Sequence, residues 1–183
     1  MTAIKSRRVV QVSAVLVILV CALYVLLLPK RGKVIESWQT GNNAFRIRVT
    51  AYSEKPSLPG LGGAYYVFDS ATVSSDKWGE ALTFRHDTPV EIPRNQVRLV
   101  NDQVGYVFMG WMYSVTTDGG SSWHIWSADK DLPSWQCCNY NLIQDVRIAP
   151  DGTGTMKLNP IPQRRGEVPE LHTKDYGRHW SVE

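Results

Sequence analysis

Apolar residues are laid out along this chain in two unlike ways. From residue 9 to residue 28 they run continuously, interrupted only by Gln11 and Ser13 and carrying no charge. Beyond residue 44 they alternate with polar residues, as in Phe45-Arg46-Ile47-Arg48-Val49-Thr50-Ala51-Tyr52. A continuous run of the first kind makes a helix about 30 Å long, the thickness of a bilayer's hydrocarbon core. Period-two alternation puts one face of a strand in a core and the other in water. The pattern therefore predicts one membrane-spanning helix joined to a β domain.

The flanks of the run decide between an anchor and a cleaved leader. Lys5, Arg7 and Arg8 precede it, and Pro29, Lys30, Arg31 and Lys33 follow it. A signal peptide has an apolar part of about 7–15 residues that ends at small residues. Here the run continues through Ala22-Leu23-Tyr24-Val25-Leu26-Leu27-Leu28 and meets the basic cluster with no Ala-x-Ala site. Cys21 follows Ile18-Leu19-Val20, without the small residue that lipoprotein processing wants before it. The expected organisation is a tail over 1–8, a single-pass anchor over 9–28, a juxtamembrane linker over 29–43 and a β domain over 44–183. Basic residues balance across the span, so the short tail is what favours an extracytoplasmic β domain.

Within the β domain, residues 64–69 and 80–85 read as strands around a turn at 74–79. The stretch Pro56-Ser57-Leu58-Pro59-Gly60-Leu61-Gly62-Gly63 is rich in breakers and reads as a loop. Two copies of one pattern then recur 57 residues apart: Thr116-Thr117-Asp118-Gly119-Gly120-Ser121-Ser122-Trp123 and Thr173-Lys174-Asp175-Tyr176-Gly177-Arg178-His179-Trp180. Residues 97–105 also align without a gap to 146–154, at an offset of 49. A Pro-rich insertion over 159–166 accounts for the difference. The repeats are thus 97–128 and 146–183, with 45–85 as a degenerate third. Each has about four strands, the size of a propeller blade. Two or three blades cannot close a ring of about 4–8. The expected fold is all-β, a partial propeller or a sandwich-like stack.

In each motif the Asp can cap backbone amides further along the turn, and the Gly accepts a positive φ. The hydroxyl of Thr116 or Thr173 adds a local bond, and Trp123 or Trp180 returns to pack on the sheet. Asp118, Gly120, Asp175 and Gly177 are accordingly structural residues. The motifs resemble Asp boxes, also called BNR repeats, with Ser122 and His179 as the departures. Val104-Gly105-Tyr106-Val107-Phe108-Met109-Gly110, leading into the first motif, resembles the photosystem II stability and assembly factor family. The resemblance covers residues 97–183. It implies turns on the outer rim of blades and a role as an assembly or accessory factor.

Charge and candidate chemistry narrow the function. Residues 34–183 carry 14 basic and 17 acidic side chains, a net of −3, so the domain has no nucleic-acid footprint. Adjacent Cys137 and Cys138 read as two thiols, or as one thiol and an intermolecular bridge, since disulfide geometry resists so short a loop. No metal spacing, phosphate loop or G-x-S-x-G elbow occurs, so neither metal nor cofactor is expected. Glycoside hydrolysis, known among Asp-box proteins, would need paired carboxylates or a Tyr with an Arg cluster. Asp87, Glu91, Asp102, Asp129, Asp131 and Asp145 are the acids, and Arg94, Arg98 and Arg147 the arginines, that would have to converge. Aromatic density points elsewhere. Trp126, Trp135, Cys137, Cys138 and Tyr140, in or beside an irregular loop over 131–140, are the candidate partner-binding residues. The expected function is a membrane-anchored protein-binding module, an accessory subunit or assembly factor of a membrane complex. The alternative is a carbohydrate-binding or glycoside-hydrolysing surface protein.

Overall fold

The computed structural model describes residues 30–55, 62–87, 90–92, 94–132, 140–160 and 170–182. The expected anchor over 9–28 lies outside them, and among the described residues no helix is long and apolar enough to cross a membrane. Three four-stranded antiparallel sheets make up the domain. The first contains β1 (Lys30–Gly41), β2 (Phe45–Lys55), β3 (Ala64–Thr72) and β4 (Gly79–His86). A 3-10 turn, Arg94–Gln96, leads to β5 (Val97–Leu99), β6 (Gly105–Met109), β7 (Met112–Thr116) and β8 (His124–Ser127). One helical turn, α1 (Ala128–Asp131), precedes β9 (Tyr140–Ile148), β10 (Gly154–Pro160), β11 (Glu170–Thr173) and β12 (Ser181–Val182). Each sheet pairs its strands in chain order.

Strand register shows that the sheets are copies of one unit. Leu99 pairs with Gly105 and Ile148 with Gly154, as the gapless alignment requires. Gly105 then pairs with Thr116, and Gly154 with Thr173. In the first sheet Phe45 pairs with Thr72, so Thr72 stands in the motif's hydroxyl position and the turn over 74–79 follows it.

That first unit is longer than the sequence suggests. Residues 29–43, expected as a linker, contain the twelve-residue β1. Register shifts between Arg31 and Val34 and between Val34 and Glu36 break its alternation, which hides it from a period-two reading.

The sheets pack in series, with the second in the middle. Val97, Val107 and Met109 join a core with Phe45, Ile47, Val49, Tyr66, Phe68, Leu82 and Phe84 of the first sheet. From the other face, Tyr106, Phe108, Tyr113, Val115 and Trp126 pack with Ile143, Val146, Met156, Leu158 and Leu171 of the third. All five residues of β6 are buried, which explains why Gly-Tyr-Val-Phe-Met has no polar alternation. The two end faces are different. Alternation along β2 and β3 turns Arg46, Arg48 and Asp69 away from the core, and along β10 and β11 it does the same for Thr155, Lys157 and His172.

Candidate functional site

Both motif turns have the same hydrogen-bond network. In the first, the Thr116 hydroxyl donates to Asp118 Oδ1 at 2.8 Å and accepts the Gly120 amide at 2.9 Å. Asp118 Oδ1 also accepts the Ser122 amide at 2.9 Å, and Oδ2 the Ser122 hydroxyl at 2.6 Å. In the second, Thr173 donates to Asp175 at 2.8 Å and accepts Gly177 N–H at 2.9 Å. The His179 amide meets Asp175 Oδ1 at 3.0 Å, and the His179 ring takes the place of the serine hydroxyl at 2.5 Å. Burial raises the Asp175 carboxyl, but the His179 ring and amide and the Thr173 hydroxyl outweigh it, lowering the pKa to about 2. Asp118 is lowered too, with burial again opposed, here by Ser122 and Thr116.

Each turn also clamps its sheet to the one before. Gly120 and Gly177 have φ of +81° and +83°. A Cβ there would lie 2.9 Å from Phe45 Cβ and 2.4 Å from the Tyr113 hydroxyl oxygen, respectively. The Trp123 indole N–H donates to Ser70 Oγ at 2.6 Å, and Ser70 donates to Gly120 O at 3.2 Å. Trp180 stacks edge-on against Tyr113 at 5.6 Å and beside Trp126 at 6.5 Å. The motifs therefore hold sheets together.

The degenerate turn of the first sheet has no earlier sheet to clamp among the described residues. Its Thr72 and Ser74 hydroxyls lie 3.4 Å apart, repeating the Thr-to-Asp contact of the true motifs in weaker form. Its tryptophan, Trp78, has the Arg48 guanidinium over its ring at 4.3 Å and that of Arg46 at 5.5 Å. Arg48 also pairs with Asp69 at 2.8 Å. Between this turn and the first true motif runs an open groove of about 390 Å³, lined by both Trp78 and Trp123, with Lys77, Glu80 and Ser121 among its walls. Both indoles are half-buried and held by their neighbours. Most of the groove's polar groups are already engaged. Ser70 and Ser122 are bonded as described, Ser121 donates to Asp118 O, and Glu80 meets Arg31 at 3.5 Å.

The other expected residues part company. Trp126 is buried in the core between the second and third sheets, so it is not a contact residue. The physical reason is local: β8 exposes His124 and Ile125 and turns Trp126 inward beside Trp180. Tyr140 opens β9 and pairs with Pro160 in the backbone ladder, while Trp135, Cys137 and Cys138 lie outside the described residues. Of the acids and arginines tested for convergence, Arg98 and Arg147 meet at Asp145, at 2.8 and 2.9 Å. Asp145 is thus an acid between two guanidiniums, unlike a carboxylate pair flanking a sugar. Arg94 instead stacks over Trp38 at 5.5 Å.

Sequence reasoning missed a buried carboxylate. Glu54 accepts Arg85 Nε and Nη2 at 2.9 and 3.0 Å, and the Gly63 amide at 2.8 Å. The Arg85 bonds lead in lowering its pKa against the opposing effect of burial. The two residues are 31 apart in sequence and meet only through the register of three strands. No protein-family model, curated protein or solved structure matches this chain.

Proposed function

We propose that this protein is a docking module, held at a membrane by residues 9–28, that binds a protein partner as an accessory subunit or assembly factor. The three sheets are then an open arc of propeller-like blades, and the motif turns are Asp boxes that brace its rim. The groove of Trp78 and Trp123 carries the reading. Two half-exposed indoles, each immobilised before any ligand arrives, are the kind of anchor that dominates protein interfaces, because little side-chain entropy remains to be lost. The walls fit a protein better than a saccharide, whose many hydroxyls need free polar partners, and here most are already taken. Lys77 has no ion pair among the described residues and adds a cation at the groove's margin.

The test begins with gentle-detergent capture of the tagged full-length chain from its native membranes and mass spectrometry of what accompanies it. A stoichiometric membrane protein that is lost on Trp78→Ala and Lys77→Glu, with circular dichroism unchanged, is the expected result. A chain recovered alone, or one that binds a glycan array through the same groove, would overturn the reading in favour of a saccharide surface.

A further inference from the structure

We infer that the start of β1 lies along the membrane surface, with Val34 and Ile35 seated among the lipid headgroups. The inference rests on the anchor reading of residues 9–28 in the proposed function. Strand β1 begins at Lys30, so Pro29 alone separates it from the apolar run. No linker remains to lift the domain away. Each leaflet's headgroup layer is about 5–7 Å deep, half the difference between a hydrocarbon core of about 30 Å and a full bilayer of about 40–45 Å. A strand rises about 3.3 Å per residue, so Val34 is about 13 Å along β1 from Lys30. Standing upright, β1 would carry Val34 and Ile35 beyond the headgroups into water. Lying flat, it keeps both at the interface.

The surface chemistry favours the flat arrangement. Val34 and Ile35 are 57% and 55% exposed, the one adjacent pair among the exposed large apolar side chains of the described residues. The register shifts on either side of Val34 interrupt the alternation that would otherwise cover every second side chain. Lys33 is exposed beside them, and Lys55 pairs with Lys30 across the ladder. Neither Lys33 nor Lys55 has an ion pair among the described residues, and Arg31 makes a long one, 3.5 Å to Glu80. Glu36 is the next acid along the strand. Two adjacent aliphatic side chains, with the Lys33 ammonium before them, Glu36 after them and Lys30 and Lys55 paired at the start of the strand, suit a layer with phosphates outside and acyl chains beneath.

A genetically encoded fluorescent amino acid, placed in the full-length chain in phosphatidylcholine nanodiscs, tests this. Positions 19, 34, 35 and 121 would each be labelled, and quenching by brominated acyl chains compared with quenching by aqueous iodide. The expected result is strong bromolipid quenching at 19, several-fold more at 34 and 35 than at the rim position 121, and iodide protection at 34 and 35. Bromolipid quenching at 19 with free iodide access at 34 and 35 would overturn the surface contact and leave the anchor standing. Absence of quenching at 19 would remove the anchor reading and the inference together.

Discussion

At the scale of single residues, the motif positions separate by what each side chain does. Gly177 combines a φ of +83° with a site where a Cβ would sit 2.4 Å from the Tyr113 hydroxyl oxygen. Gly177→Ala should therefore destabilise by about 2–4 kcal/mol, as left-handed strain adds to overpacking. Urea unfolding of the detergent-solubilised chain would measure it, and a loss below about 0.5 kcal/mol, the scale of an ordinary surface change, would refute the clamp. Asp175 makes a pH prediction. Its folded pKa, lowered to about 2, lies below the unfolded value of about 3.9, so its contribution is present above the latter and disappears as pH falls through the former. Asp175→Asn should flatten the acid side of the Tm-versus-pH curve between about pH 4 and pH 2. The motif residues were legible because Thr, Asp, Gly and Trp act within one turn, where spacing alone defines contact. Trp126 was misread because β8 passes from exposed His124 and Ile125 to buried Trp126 and Ser127 along its length, which alternation cannot reveal.

At the scale of elements, pairing between strands decides what sequence spacing cannot. The offset of 49 between residues 97–105 and 146–154 reappears as identical register, since a hairpin turn and its two strands form one local unit. Strand β1 was read as a linker because its bulges erase the period and its side chains are exposed. The Glu54–Arg85 pair was invisible for a related reason: β2 and β4 meet its two ends only across β3. Arg85→Met strands the Glu54 carboxylate with the Gly63 amide as its remaining partner. The expected cost is about 1–3 kcal/mol, less than a fully buried pair because the guanidinium is partly exposed. Arg85→Met combined with Glu54→Leu should recover much of that loss, since removing both partners leaves no uncompensated charge. A double-mutant cycle by chemical unfolding checks it, and additive losses would show that the pair is not coupled.

At the scale of the molecule, the question is what the outer face of the first sheet can accept. The second unit presents one face to the sheet before it and one to the sheet after, and repeat architectures propagate when both faces are apolar. The first sheet breaks that rule. Where Trp123 and Trp180 reach back to an earlier sheet, Trp78 stacks on Arg46 and Arg48, and Arg48 is tied to Asp69. The same face includes Val67 and Ala71, both buried, so an apolar layer lies beneath the charged one. The prediction is that the charges keep this end from accepting another sheet. Replacing Arg46, Arg48 and Asp69 together with valine removes both members of the ion pair and leaves a β-branched face. Cross-strand packing supports such a face within its own sheet, so the fold should survive. The variant should then self-associate face to face, sedimenting as a concentration-dependent larger species than the parent chain in the same detergent. If it sediments as the parent does while its circular dichroism is unchanged, the end of the stack is set by shape, and the charged layer is only a solvated surface.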